Sequence, residues 1–524
     1  MDWSRYRPEA EPTERARSIK GRWYRDIQDL ADSRWGQRLF LGLLLILLGT
    51  YRLCLSWSGQ LYWPDEYRYL HTLHVLDELR KGDVSRAVYW IFGSEGGVAS
   101  RPSYILVSMA PALVQGLANA IFGVQPTDPS FYRIPGVANV LISLGLTLVL
   151  YRIVFLLTGD RLLAWLGAAV HGLLANTNLY VRHLFPYDTS LLLFLVSVML
   201  LLEQTDSLRR AWIRAGLAGL LSGTAATTYP GYDLFLLVPL TLLVSRRPFA
   251  WRLLVLFVAA AAAVPLLWEA TARLAGFSFV EASQGFSSTV VQGTYEEGFS
   301  FLPLYLVEVE GLAGLMLGAL LLVFGILAIQ RRFSRTETAI ILAAAAAYLV
   351  YAVAVQVFHR TVFYGRLVHM YLPFVVLAAM LAIRELKAPA LRYGVVMTLL
   401  AVSFLSFVPA ADSALTLRFP KDLERELKVA EAGARICSLG KGQDQQTEEL
   451  AADCDVVIEN GRHLYPLPEQ WSSVPPAGFV LAVEYRHPMQ FSPYWFEGYK
   501  PEERKRLRRE PPVISVYLRF ALEP

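Results

Sequence analysis

The sequence predicts a polytopic α-helical membrane protein with about eleven transmembrane helices, amphipathic helices in its first outer loop and a small C-terminal α/β domain. Three observations carry this. Hydrophobic residues fill 54% of the 524 positions and charged residues only 18%, with a mean hydropathy of +0.38, far from the balance of a soluble chain. Apolar runs of about 20 residues, enough to cross a bilayer at helical rise, recur through the first 410 positions. Short basic clusters alternate with acidic or nearly uncharged loops between those runs.

The net charge of +4 argues neither for nor against nucleic acid. The basic residues form short clusters between apolar runs and not one stripe, so no nucleic-acid partner is expected. Three cysteines are too few for a disulfide scaffold, and none has zinc-site spacing. Cys54 lies in an apolar run, whereas Cys437 and Cys454 share a polar region and can pair if it faces an oxidising compartment.

Residues 1–37 are charged and mixed in sign, unlike a cleavable signal. They read as a cytoplasmic tail with an interfacial segment around Trp23, Tyr24 and Trp35. The apolar runs follow at 38–57, 102–122, 134–157, 162–181, 187–203, 211–228, 232–245, 251–271, 303–329, 338–358, 367–384 and 391–410. Basic clusters stand at 158–161, 207–214, 245–252, 330–335 and 384–392. If all twelve runs crossed, every one of these clusters would fall outside, against the cytoplasmic Lys/Arg excess. Run 102–122 carries an internal proline, Gln115 and Asn119, and is the one assigned as an interfacial helix on the outer side. Eleven spans then put each basic cluster in the cytoplasm and the C-terminus outside, as in a bacterial inner membrane with a periplasmic tail domain.

The transmembrane domain is therefore 38–410, with its first outer loop at 58–133. From 411 to 524 the composition shifts to a candidate helix, 421–433, and four short β-branched or aromatic runs bounded by Gly and Pro. These predict a periplasmic α/β domain of ordinary size.

The outer face collects charge and histidine from six separate segments. In "YWPDEYRY", 62–69, Pro64 suits the first turn of a helix whose apolar stripe is Tyr69, Leu73, Leu76 and Leu79. Asp65 and Glu66 at its start fit the helix macrodipole. That leaves unexplained why both are packed among aromatics with Arg68 two positions on. A carboxylate in a partly dry site can accept a proton from an attacking hydroxyl or ligate a divalent cation such as Mg or Mn. Phosphates of an activated donor need cations, for which Arg101, Arg133, Arg182, Arg360 and Arg366 are the outer candidates. His71, His74, Asp77 and Glu78 have metal-like helical spacing, although a wet helix face is the favoured reading. His183 and His359 are site or interface residues, and Tyr229, Tyr232 and Asp233 line a cavity or belong to an aromatic belt. Glu308 and Glu310 enter an apolar run. No glycine segment follows a strand and opens a helix, which disfavours a nucleotide-sugar donor.

"YWPDEYRY" shortly after the first span resembles the Asp-Glu motif in the first outer loop of the GT-C superfamily of polyprenyl-phosphate-sugar glycosyltransferases. That group contains the protein O-mannosyltransferases and the lipid A aminoarabinose transferase. "SRPSYILVSMAPALVQGLANAIFG", "FYRIPGVANVLISLGLTLVLYRIV", "VRHLFPYDTSLLLF" and "YGRLVHMYLPFVVLA" agree in order with that group's later motifs. Arg101 stands where Lys is usual, and Ser103 replaces the second proline of the motif. The likeness covers roughly the first 385 residues. It implies Asp65 as the main catalytic residue, Glu66 in support and Asp188 as the second outer acid, although Asp188 also reads as a helix start after Pro186. Of the outer cations, Arg101, Arg133, Arg182 and Arg366 are the candidates for the donor phosphate, and Arg68, His183 and His359 for acceptor or metal contact.

The activity implied is an inverting hexosyl- or pentosyltransferase, passing a sugar from a polyprenyl-phosphate donor to a lipid, glycan or protein acceptor. The rival is a non-enzymatic transporter or a polysaccharide-export subunit, which should carry ionisable or broken-helix features near the midplane.

Overall fold

The computed structural model describes residues 33–57, 66–95, 98–99, 101–124, 131–184, 186–203, 205, 207–245, 251–284, 297–416, 434–439, 454–460, 479–486, 502, 504–505, 509 and 513–519. Asp65, most of the N-terminal tail and the expected 421–433 helix lie outside the described residues. Each of the twelve apolar runs is helical. In chain order the first helices are α1 (Arg34–Ser56), α2 (Tyr67–Lys81), α3 (Val84–Phe92), α4 (Pro102–Phe122), α5 (Arg133–Thr158), α6 (Arg161–Leu173), α7 (Ala175–Leu179), α8 (Tyr187–Leu202) and α9 (Leu208–Thr228). There follow α10 (Leu237–Ser245), α11 (Trp251–Leu274), α12 (Phe301–Glu308), α13 (Gly311–Ile329), α14 (Arg335–Gln356), α15 (Gly365–Arg384) and α16 (Pro389–Thr416).

The protein is a polytopic helical membrane protein with a small sheet. Among the described residues eight helices are long and apolar enough to cross a membrane, or nine if α6 and the segment through Arg182, bent by 62°, count as one broken span. Helix α4 is one of the eight and is not among the expected eleven, so with the broken span counted three expected spans fall short, each with a local cause. Helix α8 has 16 residues, about 24 Å of rise against an apolar slab of about 30 Å. The 230–245 segment is likewise short, and α9 opens with Arg209, Arg210 and Arg214.

Helix α4 passes the length test, yet three of its polar contacts run to helix ends at one end of the bundle. Arg101 donates to the Thr228 carbonyl at 3.1 Å, Tyr104 to the Leu184 carbonyl at 3.1 Å and Gln115 to the Phe131 carbonyl at 2.6 Å. These are the end of α9, the approach to α8 and the start of α5. A helix crossing alongside them would meet their middles, so α4 lies across their ends.

Charges gather at the opposite end. Glu203 pairs with Arg214 at 3.1 Å and Arg152 at 3.2 Å, Glu337 with Arg384 at 2.6 Å, and Asp160 with Arg392. Ser334 and Glu337 close a capping box on α14. The bundle is built around α15, which is 94% buried across its apolar window; a helix apolar on every face belongs inside.

The C-terminal region carries the four expected strands, β3 (Ile436–Leu439), β4 (Val456–Asn460), β5 (Phe479–Arg486) and β6 (Val513–Arg519), in the order β3-β4-β6-β5. β3 and β4 are parallel and the other pairs antiparallel. A Cys437–Cys454 disulfide ties β3 to the start of β4. Two further strands, β1 (Ser94–Glu95) and β2 (Val98–Ala99), form a short hairpin before α4. Helix α16 continues through Pro409 to Thr416, past the expected boundary at 410.

Candidate active site

At the end of the bundle that α4 crosses, polar side chains are buried in two linked groups. The first surrounds Glu66, which begins α2 but does not cap it. Its carboxylate reaches 117 positions along the chain, with Oε2 3.1 Å from His183 Nδ1 and Oε1 accepting from the Leu184 N–H at 3.1 Å. Asn139 donates to the His183 carbonyl at 2.7 Å, holding the same loop from α5. Glu66, His183 and Arg68 are all buried. A charge here without partners would be costly, so this is a built polar site and not a helix-dipole decoration.

The second group lies between α7, α8, α13 and α15. Glu310 accepts from the backbone N–H groups of Ala175 and Asn176 at 2.7 and 2.9 Å, satisfying the first turn of α7 after the bend. Asn176 Nδ2 donates to the Gly365 carbonyl at 3.1 Å and to the Tyr305 hydroxyl, so its Oδ1 faces His369 Nδ1 at 2.9 Å. An amide oxygen only accepts, which puts a hydrogen on Nδ1. His369 Nε2 then lies 2.7 Å from Asp188 Oδ1, an arrangement that needs one proton shared by the pair. Arg52 packs nearby, donating to Asn178 Oδ1 at 2.9 Å.

Beside these groups opens a cavity of about 830 Å³. One wall is apolar, with Leu236, Leu240, Val258, Ala262 and Pro265; Arg101, Arg360, Arg366 and Asp233 supply the charge. Arg366 is tied to the buried group through Tyr187, donating to its hydroxyl at 3.1 Å, and stacks on Tyr364 at 4.2 Å. Arg101 lies over Tyr229 at 4.9 Å.

The predicted residues therefore separate. Arg101, Arg360 and Arg366 share the cavity. Arg182 is buried outside its lining, donating to the Ala414 carbonyl at 3.0 Å, and Arg133 is exposed over Trp57. His359 is exposed with a left-handed φ of 49°. Among the described residues no three His, Cys, Asp or Glu side chains converge on a metal position. His71 is buried against Trp90 and not on a wet face, and burial holds it well below the usual histidine range, at about 4. His74 stacks on Trp90, while Asp77 pairs with Lys81 at 2.6 Å. Both Glu66 oxygens are engaged as well, by His183 and the Leu184 N–H.

No protein-family model matches the sequence, and no curated protein matches it. Among solved structures the chain is similar to ArnT from Cupriavidus metallidurans, bound there to undecaprenyl phosphate, with 16% identity over 75% of this chain and 73% of that one and a TM-score of 0.47. It is similar to the mycobacterial arabinofuranosyltransferase AftD at 13% identity over 93% of this chain and 40% of that one, TM-score 0.45. The Archaeoglobus fulgidus oligosaccharyltransferase follows at 11% identity, 82% and 59% coverage and a TM-score of 0.43. These neighbours are GT-C glycosyltransferases. The chain spans less than two thirds of the length of the last two.

Sequence reading missed Arg52, Asn176, His171 and His369. Each sits inside an apolar run, where an ionisable or amide residue is itself a functional signal.

Proposed function

We propose that this protein is an inverting membrane glycosyltransferase that takes a hexose or pentose from a polyprenyl-phosphate carrier at the periplasmic face of a bacterial inner membrane. The acceptor is a hydroxyl of a lipid, glycan or protein. The observation that carries the reading is the cavity, where an apolar wall runs up to three arginines. That pairing suits a ligand with a long hydrocarbon chain and an anionic head.

In the reaction the acceptor oxygen attacks the anomeric carbon as the bond from that carbon to the phosphate oxygen breaks. Polyprenyl phosphate leaves onto Arg101, Arg360 and Arg366, and the hydroxyl proton passes to Asp65, assigned as base from the motif resemblance. Glu66, through His183 and Leu184, supports this function by holding the start of α2 against the approach to α8.

The bend between α6 and α7 beside Arg52, His171 and Asp188 is the feature a transporter reading would use. Asn176, just after the bend, donates to Gly365 in the first turn of α15, which puts the bend toward one end of the bundle and not at its middle. Purified protein tests the proposal. Native mass spectrometry should find undecaprenyl phosphate bound in preference to neutral undecaprenol, with the preference lost in Arg366→Ala. Asp65→Asn should cut sugar transfer from a lipid-linked pool by about 100-fold or more, the usual worth of a general base. Equal binding of phosphate and alcohol, or parental transfer by Asp65→Asn, would sink the reading.

A further inference from the structure

Asp233 shares the cavity with Arg101, Arg360 and Arg366 but pairs with none of them. Among the described residues its carboxylate makes no ion pair and no side-chain hydrogen bond, while its backbone is fixed in the turn after Pro230. It is exposed to the cavity, and both it and Arg366 lie within electrostatic reach of the Tyr351 hydroxyl. An acid that shares a cavity with arginines without pairing to them leaves a gap between unlike charges. A ligand must fill that gap with an anion on one side and hydrogen-bond donors on the other. Facing a bare phosphate, the ionised form of Asp233 contributes only like-charge repulsion. Facing a phosphate that carries a polyol, it accepts from hydroxyl groups, and such charge-assisted bonds are the strong ones.

We propose that Asp233 is the sugar-selecting residue of the cavity, accepting hydroxyls of the sugar whose phosphate is held by the arginines. The inference rests on the polyprenyl-phosphate-sugar reading above. Its consequence is discrimination: the loaded carrier is favoured over the spent one, because only the loaded carrier offers hydroxyl donors to Asp233.

Competition binding by native mass spectrometry tests it, using undecaprenyl phosphate and undecaprenyl phosphate carrying mannose, glucose or arabinofuranose. Wild-type protein should prefer at least one glycosylated carrier by about tenfold, the worth of one hydrogen bond to a charged group. Asp233→Ala and Asp233→Asn should lose that preference with their melting temperatures unchanged, and should bind the bare carrier as well or better. Arg366→Ala should weaken both ligands together. If the wild type binds bare and glycosylated carriers equally, or Asp233→Ala keeps the preference, the role of Asp233 is overturned while the carrier reading stands. If the wild type binds none of the four, the carrier reading fails and this inference goes with it.

Discussion

Asp188 and Glu66 are both buried acids near helix starts, and each is answered by a histidine far away in sequence. The Asp188 pair is the more constrained, because Asn176 fixes which nitrogen of His369 carries hydrogen and leaves one proton for the other nitrogen and the carboxylate to share. Removing one partner of such a pair strands the other. His369→Ala should therefore destabilise the protein by about 3–5 kcal/mol, the penalty for breaking a buried pair. Asp188→Asn should cost clearly less, since its amide donates to the same nitrogen of a neutral imidazole. Chemical denaturation in detergent compares the two, and equal losses would mean that the pair holds no shared proton. At this scale the sequence pointed to the acids and to His183 but not to His369, because a partner 181 positions away leaves no periodic trace.

The elements were more legible than their packing. Every apolar run became a helix and the four tail strands formed where β-branched residues cluster, since hydropathy and local propensity act within a segment. Helix α2 shows where this stops: Tyr69, Leu73 and Leu76 of its predicted apolar stripe pack together with Tyr104 and Ala112, but Leu79 is exposed, while Val75, one turn before it, packs on Ala87 and Ile105 because α3 folds back against it. The wall of the cavity is a second case. Gly219 and Gly223 of α9 sit on the carbonyls of Phe257 and Ala261 of α11, so close that an added Cβ would clash with backbone. Their Gly-x-x-x-Gly spacing is a known signal for close helix approach in membranes. Gly223→Val should destabilise by about 1–3 kcal/mol, as overpacking does, and weaken undecaprenyl phosphate binding by moving the cavity wall. Gly216→Ala, whose added Cβ would meet only the Leu256 side chain at 3.7 Å, is the control. Equal melting curves for the two variants would show that the α9–α11 contact does not set the wall.

Across the whole molecule the two ends differ in kind. One end knots its arginines to Glu203, Glu337 and Asp160, while the other buries acids, histidines and amides beside a cavity lined by Arg101, Arg360 and Arg366. The rule that Lys and Arg are in excess on the cytoplasmic side predicts the first end to be inside, and on the function proposed above the cavity then opens outward. Labelling decides this. In a Cys54→Ala background, single Phe122→Cys and Phe358→Cys variants should react with an impermeant maleimide added to spheroplasts, since both side chains are exposed at the cavity end. Thr205→Cys and Gln330→Cys, in loops at the other end, should react only after permeabilisation. The reverse pattern would invert the topology and leave the cavity facing the cytoplasm. Protection of Phe122→Cys alone would instead mean that α4 dips into the membrane, and the contacts of Arg101, Tyr104 and Gln115 with three neighbouring helix ends would need a different explanation.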